Sequence, residues 1–469
     1  MRRLIKRVLL SNVVSFSQSL FNSFKSRVIG NSGVVEAESC AVTTLSNLDS
    51  KNLLQSATFV LAPSGYKSGV IYSQVPSNGN GDLTVTRATS ATRVNSSGVI
   101  ETVASGVPQL DYSLGGCPNF LFEPQRTNNL QNSNWAGAVA GTPGTPPTNW
   151  TLNQNGGSIA LVSSIYGTLD GAQAIQFTTS SAREVFAQSF NTTANASYVF
   201  SIYIEAYSGT ITLNSVFGEA TGLTGTSKTY YYQDGTNLGN GVANISATGR
   251  YYIVYSNTVG GSILLRYGLG ISNVSTGSIT LSRPMFESGA GTSVAFATSY
   301  IPTTVGAIAT RNATSFTRSN IYTNGLISAS GFTWLFEIKN NLSIRGDQTD
   351  NTKFYGMFIG NSSTAPTSAI CIYNDNTTAL LKLGTISGTV TTPRYTTAAA
   401  SIKVAITYDG TTLNAWVNGT KQISAISFSA SLSAFEHLAA VNTDVLKYIA
   451  QMALWNTILP DSQCASLTS

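Results

Sequence analysis

A chain of 469 residues with 42% hydrophobic and only 10% charged residues is not intrinsically disordered, because disorder needs high net charge or few apolar side chains. Its single histidine, His437, excludes a metal centre built on two or three histidines and is the one base that a Ser-His-Asp or Cys-His centre could use. The length allows about three domains, and no run of about 18 apolar residues is present to span a membrane.

With Gly 42, Tyr 21 and Phe 20, and Thr, Ser and Asn between them, the composition favours many short strands joined by tight turns. The formal net charge of +5 is unevenly placed. Arg2, Arg3, Lys6, Arg7, Lys25 and Arg27 fall within the first 30 residues, which hold no acid, so the remainder is close to neutral. Four cysteines, Cys40, Cys117, Cys371 and Cys464, lie far apart without a CxxC spacing. That pattern excludes a dense disulfide framework, argues against a zinc site and predicts lone buried thiols.

In chain order, Leu4, Val8, Leu9, Val13, Phe16, Leu20, Phe24 and Val28 recur at helical intervals and predict an amphipathic helix, or helix pair, with a basic start. Docking on a larger assembly, lying on a membrane surface, neutralising nucleic acid and packing on its own subunit all compete for such a segment. Its cations are too few and too little interleaved with aromatic rings to favour nucleic acid, and docking is the reading taken. The chain after residue 30 is then expected to fold without it. Lys6 and Arg7 interrupt what would be the apolar core of a signal peptide, so cytosolic synthesis is expected.

Gly30 and Gly33 break this helix, and Val35, Cys40, Leu45 and Leu48 predict a second one within 34–54. Strands are expected over 58–63 and 70–75, followed by the turn SNGNGD at 77–82. The stretch 110–130, LDYSLGGCPNFLFEPQRTNNL, joins a Gly115-Gly116-Cys117-Pro118 turn to a short apolar strand and then to Glu123, Gln125, Arg126, Thr127 and Asn128. A carboxylate and a guanidinium this close suit a buried ion pair between Glu123 and Arg126, clamping a junction together with Asp111, Tyr112 and Asn128. The same residues also suit a plain polar loop.

The stretch from Leu83 to Asn128 resembles a module that recurs in tail-fibre, head-fibre and other virion proteins of bacteriophages. The resemblance rests on Arg87, Ala88, Ser90, Ala91 and Thr92, then Asn95 and Gly98, then Pro108, Asp111 and Tyr112, then Glu123 to Asn128. Thr89 stands where serine is usual and Gln109 where arginine is usual. The resemblance implies that 31–130 is a connector module.

Trp135 and Trp150 flank a Pro/Gly/Thr loop, after which strands are expected at intervals of roughly ten residues, among them 158–162, 174–178, 198–206, 210–216, 251–256 and 262–269. This segment, 131–312, is expected to be a β-sandwich, and its ending, 296–313, resembles the closing signature of carbohydrate-binding-module-like jelly rolls in phage proteins, with Asn312 as a departure. The last segment, 313–469, carries FTWLFEIKNN, an Asp409-Gly410 hairpin and YIAQMALW, and resembles the concanavalin A-like or laminin-G-like fold. The expected fold class is therefore mainly β: two tandem jelly-roll sandwiches after a helical segment at 1–30 and a small connector module.

No catalytic motif is recognisable, and sparse acids make a depolymerase the least favoured class, so the chain is expected not to be an enzyme. Aromatic rings stack on the apolar faces of sugars, and Trp135, Trp150, Tyr203, Tyr207, Tyr230, Tyr231 and Tyr232 are the glycan-contact candidates; each could equally be core. No metal site is assigned and no cofactor is expected, although Asp347, Asp350, Asn374 and Asp375 are candidate calcium ligands of the lectin type, a pattern shared with ordinary loop tips. Together these readings imply a phage virion fibre or spike, on head or tail, anchored through the basic N-terminus to other virion proteins. It would form a homotrimer and attach to host-surface glycan. The alternatives are a purely structural capsid decoration and a surface-polysaccharide depolymerase.

Overall fold

The structure is a computed structural model that describes residues 2–469 except 172, 181–182, 220–226, 234, 257–259, 273–275, 290–295, 340–353, 375–380, 389, 398, 400 and 441–447, with side chains from residue 15 onward. The protein is mostly strand, built into antiparallel sheets that form two β-sandwiches, with helices α1 (Arg2–Gly30), α2 (Glu38–Ser50) and α3 (Asp461–Thr468).

The inner sandwich is made by the middle of the chain. One sheet runs in the order Ser158–Val162, Ala174–Thr179, Gly277–Gly289, Tyr198–Ser208, Gly249–Ser256, Ser227–Tyr232. The facing sheet runs Thr151–Asn155, Glu184–Thr192, Gly261–Leu269, Phe217–Glu219. Phe200, Ile202 and Ile204 are buried between the two, as their period-2 spacing requires. The expected strand at 210–216 is instead a short 3-10 turn, Leu213–Ser215.

The outer sandwich is not made by the last third alone. One sheet is Thr420–Ser427, Thr412–Val417, Ile402–Tyr408, Phe332–Lys339, Tyr448–Trp455, Asn119–Leu121, Leu110–Asp111, with Phe59–Leu61 also paired to Tyr448–Trp455. The other sheet starts with Val34–Val35, Gly65–Lys67, Val70–Ile71 and Leu83–Thr86, and continues through Ser315–Ser319 into His437–Ala440 and Phe354–Gly360. Most strands of the segment expected to be a separate connector are therefore shared out between both sheets of the outer sandwich, while Ala91–Val94 and Ile100–Val103 pair only with each other and Arg126–Asn128 joins the inner sandwich, which is an insertion between the two halves of the outer one. Strands of two to four residues cannot bury a core of their own, so they complete one built by distant parts of the chain.

The helices cover the outside of that sandwich. Along Phe332–Lys339, Trp334, Phe336 and Ile338 face the sandwich interior while Leu335 faces the helices, and Ala405, Trp416, Ala453 and Trp455 do the same on neighbouring strands. A sheet covered on both faces explains the near-continuous apolar runs in these strands. Phe21, Phe24 and Val28 of α1 are fully buried against α2 and this sheet face. Lys25 pairs with Glu38, and Arg27 pairs with Asp82 at 3.0 Å while donating to the Ser73 carbonyl at 2.6 Å. Two of the six cations assigned to an anchor are thus spent within the subunit, because the fold brings acids to them from outside the helix. Arg2, Arg3, Lys6 and Arg7 lie in α1, with side chains outside the described residues.

Cys40 and Cys117 form a disulfide, correcting the expectation of lone thiols; α2 and the glycine turn, 77 residues apart, are brought together by the outer sandwich. Cys371 and Cys464 are buried thiols outside this disulfide. The Asp409-Gly410 hairpin forms as its turn residues require: the Asp409 carboxylate accepts from the Thr411 and Thr412 amides, and Gly410 has φ 98°.

Candidate functional site: a tyrosine-lined cleft between the sandwiches

Where the inserted sandwich meets the outer one, a cleft of about 570 Å³ opens. One wall is the motif region read from sequence. The hairpin of Ala91–Val94 and Ile100–Val103 turns through Asn95, whose Oδ1 accepts from the Ser97 and Val99 amides at 3.0 and 3.1 Å. Asp111 is buried and accepts from the Val94 amide at 2.8 Å and the Ser113 amide at 2.9 Å, which pins the following turn to that hairpin. Gly115 and Gly116 take φ of 73° and 65° with open space around them, so glycine is needed there for backbone conformation rather than for room. Burial raises the Asp111 carboxyl above the usual carboxylate range, against the pull of its hydrogen bonds.

The facing wall comes from the insertion: Tyr166, Tyr203, Tyr232, Arg250, Tyr252 and Tyr300. Tyr112 and Tyr448 complete the aromatic lining from the outer sandwich. Tyr166 and Tyr203 pack with ring centroids 4.7 Å apart, and the Arg250 guanidinium sits 5.4 Å from the Tyr203 centroid. Tyr448 and Ser113 share a hydroxyl hydrogen bond of 2.8 Å, as do Tyr300 and Ser133. The Tyr232 hydroxyl donates to the Thr248 carbonyl at 2.8 Å. Tyr203 is 8% exposed, faces the cleft, and has no hydrogen-bond partner for its hydroxyl among the described residues.

The cleft is held at its base by an ion pair that the sequence places wrongly. Glu123 is fully buried and pairs with Arg311 at 2.9 Å, not with Arg126; it also accepts from the Ser299 amide and hydroxyl, both at 2.6 Å. Arg126 instead donates to the Gln125 carbonyl and lies over the Phe296 ring. The cause is strand geometry: Arg126–Asn128 pairs with Ala309–Arg311, which carries the Arg311 side chain back to Glu123. Gln109 donates to Glu123 and accepts from Arg87, so the position where arginine is usual works here as an internal link. Asn128 closes the junction, donating to the Ile301 carbonyl and accepting from the Phe286 amide.

Of the glycan candidates, Tyr203 and Tyr232 line the cleft. Trp135, Trp150 and Tyr230 do not: the two indoles lie 5.3 Å apart in the core of the inserted sandwich, and the Tyr230 hydroxyl bonds to the Phe217 carbonyl. Tyr231 is buried in a stack on Tyr252, and Tyr207 packs against the inner core. Tyr166, Arg250, Tyr252 and Tyr448 were not anticipated; nothing local marks them, since they are ordinary strand or loop residues until the two sandwiches meet. Tyr300 had a signal, lying in the closing signature at 296–313. Asp347, Asp350 and Asp375 lie outside the described residues, and so does the Asn374 side chain, while among the described residues no group of three or more His, Cys, Asp or Glu could hold a metal. His437 bonds through Nδ1 to Ser319 on the neighbouring strand, which is a structural role.

Burial raises the phenols of Tyr203, Tyr255, Tyr267 and Tyr448, and pushes that of Tyr408 up to about 12. A group whose folded pKa is raised gives stability that is complete below its unfolded pKa, near 10 for tyrosine, and lost as pH climbs toward the folded value. Arg87, lowered to about 10 by burial, acts in the opposite sense, as do Lys51, Arg266, Arg311 and Arg318, also lowered by burial, but the raised phenols outnumber them. Stability should therefore fall steeply above about pH 10, by up to about 1.4 kcal/mol per pH unit for each fully buried phenol. Tyrosinate absorbance and far-ultraviolet dichroism recorded together would check this: the buried phenols should ionise only as the fold is lost, and early ionisation without unfolding would contradict it.

No family model matches the chain, and no curated protein matches it. Among solved structures, it is similar to a mutant of Trypanosoma rangeli sialidase displaying trans-sialidase activity, at 12% identity over 33% of this chain and 26% of the sialidase, with a TM-score of 0.25. It is also similar to the CBM40 of Ruminococcus gnavus IT-sialidase bound to α2,3-sialyllactose, at 13% identity over 30% of this chain and 83% of that one, TM-score 0.21. A third is the CBM2 module of the evolved Dit of Lactobacillus casei BL23 phage J-1, at 8% identity over 32% and 72%, TM-score 0.22. The first match thus spans about a quarter of the sialidase's length. The expectation that the chain is not an enzyme is corrected by these matches: sialidases stand beside carbohydrate-binding modules among them, so that exclusion does not hold, while TM-scores this low assign no activity to the chain.

Proposed function

We propose that the chain is a structural protein of a bacteriophage virion, a head or tail fibre or spike, that attaches to the host surface by binding glycan in the cleft between its two sandwiches. The observation that carries this reading is the cleft itself, whose size falls in the range of small-molecule sites and whose walls are tyrosine rings set among hydrogen-bonding groups. The virion part rests on the motif residues 87–128, which build one wall of that cleft. A disulfide between Cys40 and Cys117 suits a protein that works outside a reducing cytosol. Weak binding in a single cleft becomes useful attachment when a homotrimer presents several, and other virion proteins would hold the start of α1.

The test is a cell-binding assay on the full chain with Tyr112→Ala as the variant, because Tyr112 is half-buried in the cleft wall and its loss leaves both cores intact. Binding should weaken about tenfold or more, as for a central aromatic contact. Immunogold labelling of intact particles tests the virion placement separately. Undiminished cell binding by the variant would remove the cleft from the proposal, and absence of label would remove the virion.

A further inference from the structure

We infer that the cleft selects uncharged saccharides and discriminates against acidic ones carrying carboxylate, sulfate or phosphate. This rests on the proposed glycan binding and follows from where the charges around the cleft are already committed. Among the described residues two guanidiniums line it, Arg93 and Arg250. Arg93 is held by Glu36 at 2.9 Å and by Glu101 at 2.7 Å, two carboxylates on one cation. Arg250 has Glu287 at 3.7 Å, donates to the Ser201 hydroxyl at 2.8 Å and to the Thr298 carbonyl, and lies over the Tyr203 ring. No lysine lines the cleft among the described residues. An anionic ligand is recognised by a cation with donors to spare, and each cation here has its charge matched before a ligand arrives.

The carboxylates tip the balance further. Glu123 reaches the cleft but is matched by Arg311. Asp111 also reaches it, and its partners are the Val94 amide and the Ser113 amide and hydroxyl, with no cation among them. A second negative charge brought beside these groups would be desolvated without compensation. What the cleft does offer is suited to a neutral sugar: tyrosine faces, and the hydroxyl of Tyr203, a residue 8% exposed that lines the cavity, which has no partner among the described residues.

The experiment is binding of the full chain to a microbial glycan array printed with neutral oligosaccharides and with uronate-, sulfate- or phosphate-bearing counterparts, with calorimetry on the hits for the parent and for Tyr203→Phe. The expected result is that the hits are neutral, that adding an acidic substituent to a hit weakens it about tenfold or more, and that Tyr203→Phe, which keeps the ring and loses the hydroxyl, weakens neutral binding about fivefold. Acidic glycans bound as well as neutral ones would overturn the charge selection while leaving saccharide binding in place. Unchanged affinity in Tyr203→Phe, with an unchanged melting temperature, would overturn the role given to that hydroxyl. Binding of no glycan at all would overturn both this inference and the reading beneath it.

Discussion

Arg311→Ala is expected to cost about 3–5 kcal/mol of folding stability, because it strands a fully buried carboxylate. Glu123 has no exposure through which water could replace the guanidinium, and its Ser299 and Gln109 donors are neutral. The same pair also joins the two sandwiches: Glu123 follows the last outer-sandwich strand before the insertion, and Arg311 ends the strand Ala309–Arg311 by which the chain returns. Loss of Arg311 should therefore separate the melting of the two sandwiches as well as lower it. Denaturant unfolding of the parent, Arg311→Ala, Glu123→Gln and the double variant gives the coupling between the two positions. A second cycle with Arg126 in place of Arg311 should give a clearly smaller value, since Arg126 lies over Phe296 and bonds to its neighbour's carbonyl. An Arg311→Ala cost under about 1 kcal/mol would show that the pair is solvated and the clamp absent.

Removing residues 1–30 should destabilise the remainder by on the order of 5 kcal/mol or more, and not leave a folded body lacking only an anchor. Phe21, Phe24 and Val28 are each fully buried, and burying one such side chain is worth about 1.5–3 kcal/mol. The helix lies so close to the sheet that a Cβ on Gly65 would meet the Phe24 ring at 2.5 Å. Truncation would also strip the cover from Leu45 and Leu48 of α2 and leave Asp82 without its guanidinium. Point variants separate packing from docking. Phe24→Ala should cost about 3–5 kcal/mol by leaving a cavity, whereas Phe16→Ala, at a side chain 43% exposed, should change stability by under about 1 kcal/mol. Thermal melts of the truncated chain and both variants would check this; a truncated chain that melts with the parent would return α1 to the role of a detachable anchor.

The sequence by itself determined what depends on neighbours within a few residues. Period-2 apolar spacing marked the strand at 198–206, Asp409-Gly410 marked its hairpin, Gly115-Gly116 marked the turn beside Asp111, and the helical spacing of Phe24 and Val28 marked α1. Those signals report burial and turn conformation, which each residue's own chemistry sets. Partnership was decided only by the tertiary structure. Glu123 took Arg311 over the nearer Arg126, Cys40 took Cys117, and most of the short strands of 31–123 joined the far end of the chain instead of forming a module. Trp135 and Trp150 became core while Tyr203 came to line a cleft, although all are aromatic residues in the same segment. The reason is that a side chain's type fixes what it can pair with or stack on, while long-range strand pairing fixes what it meets, and every wall of the cleft is assembled by such pairings.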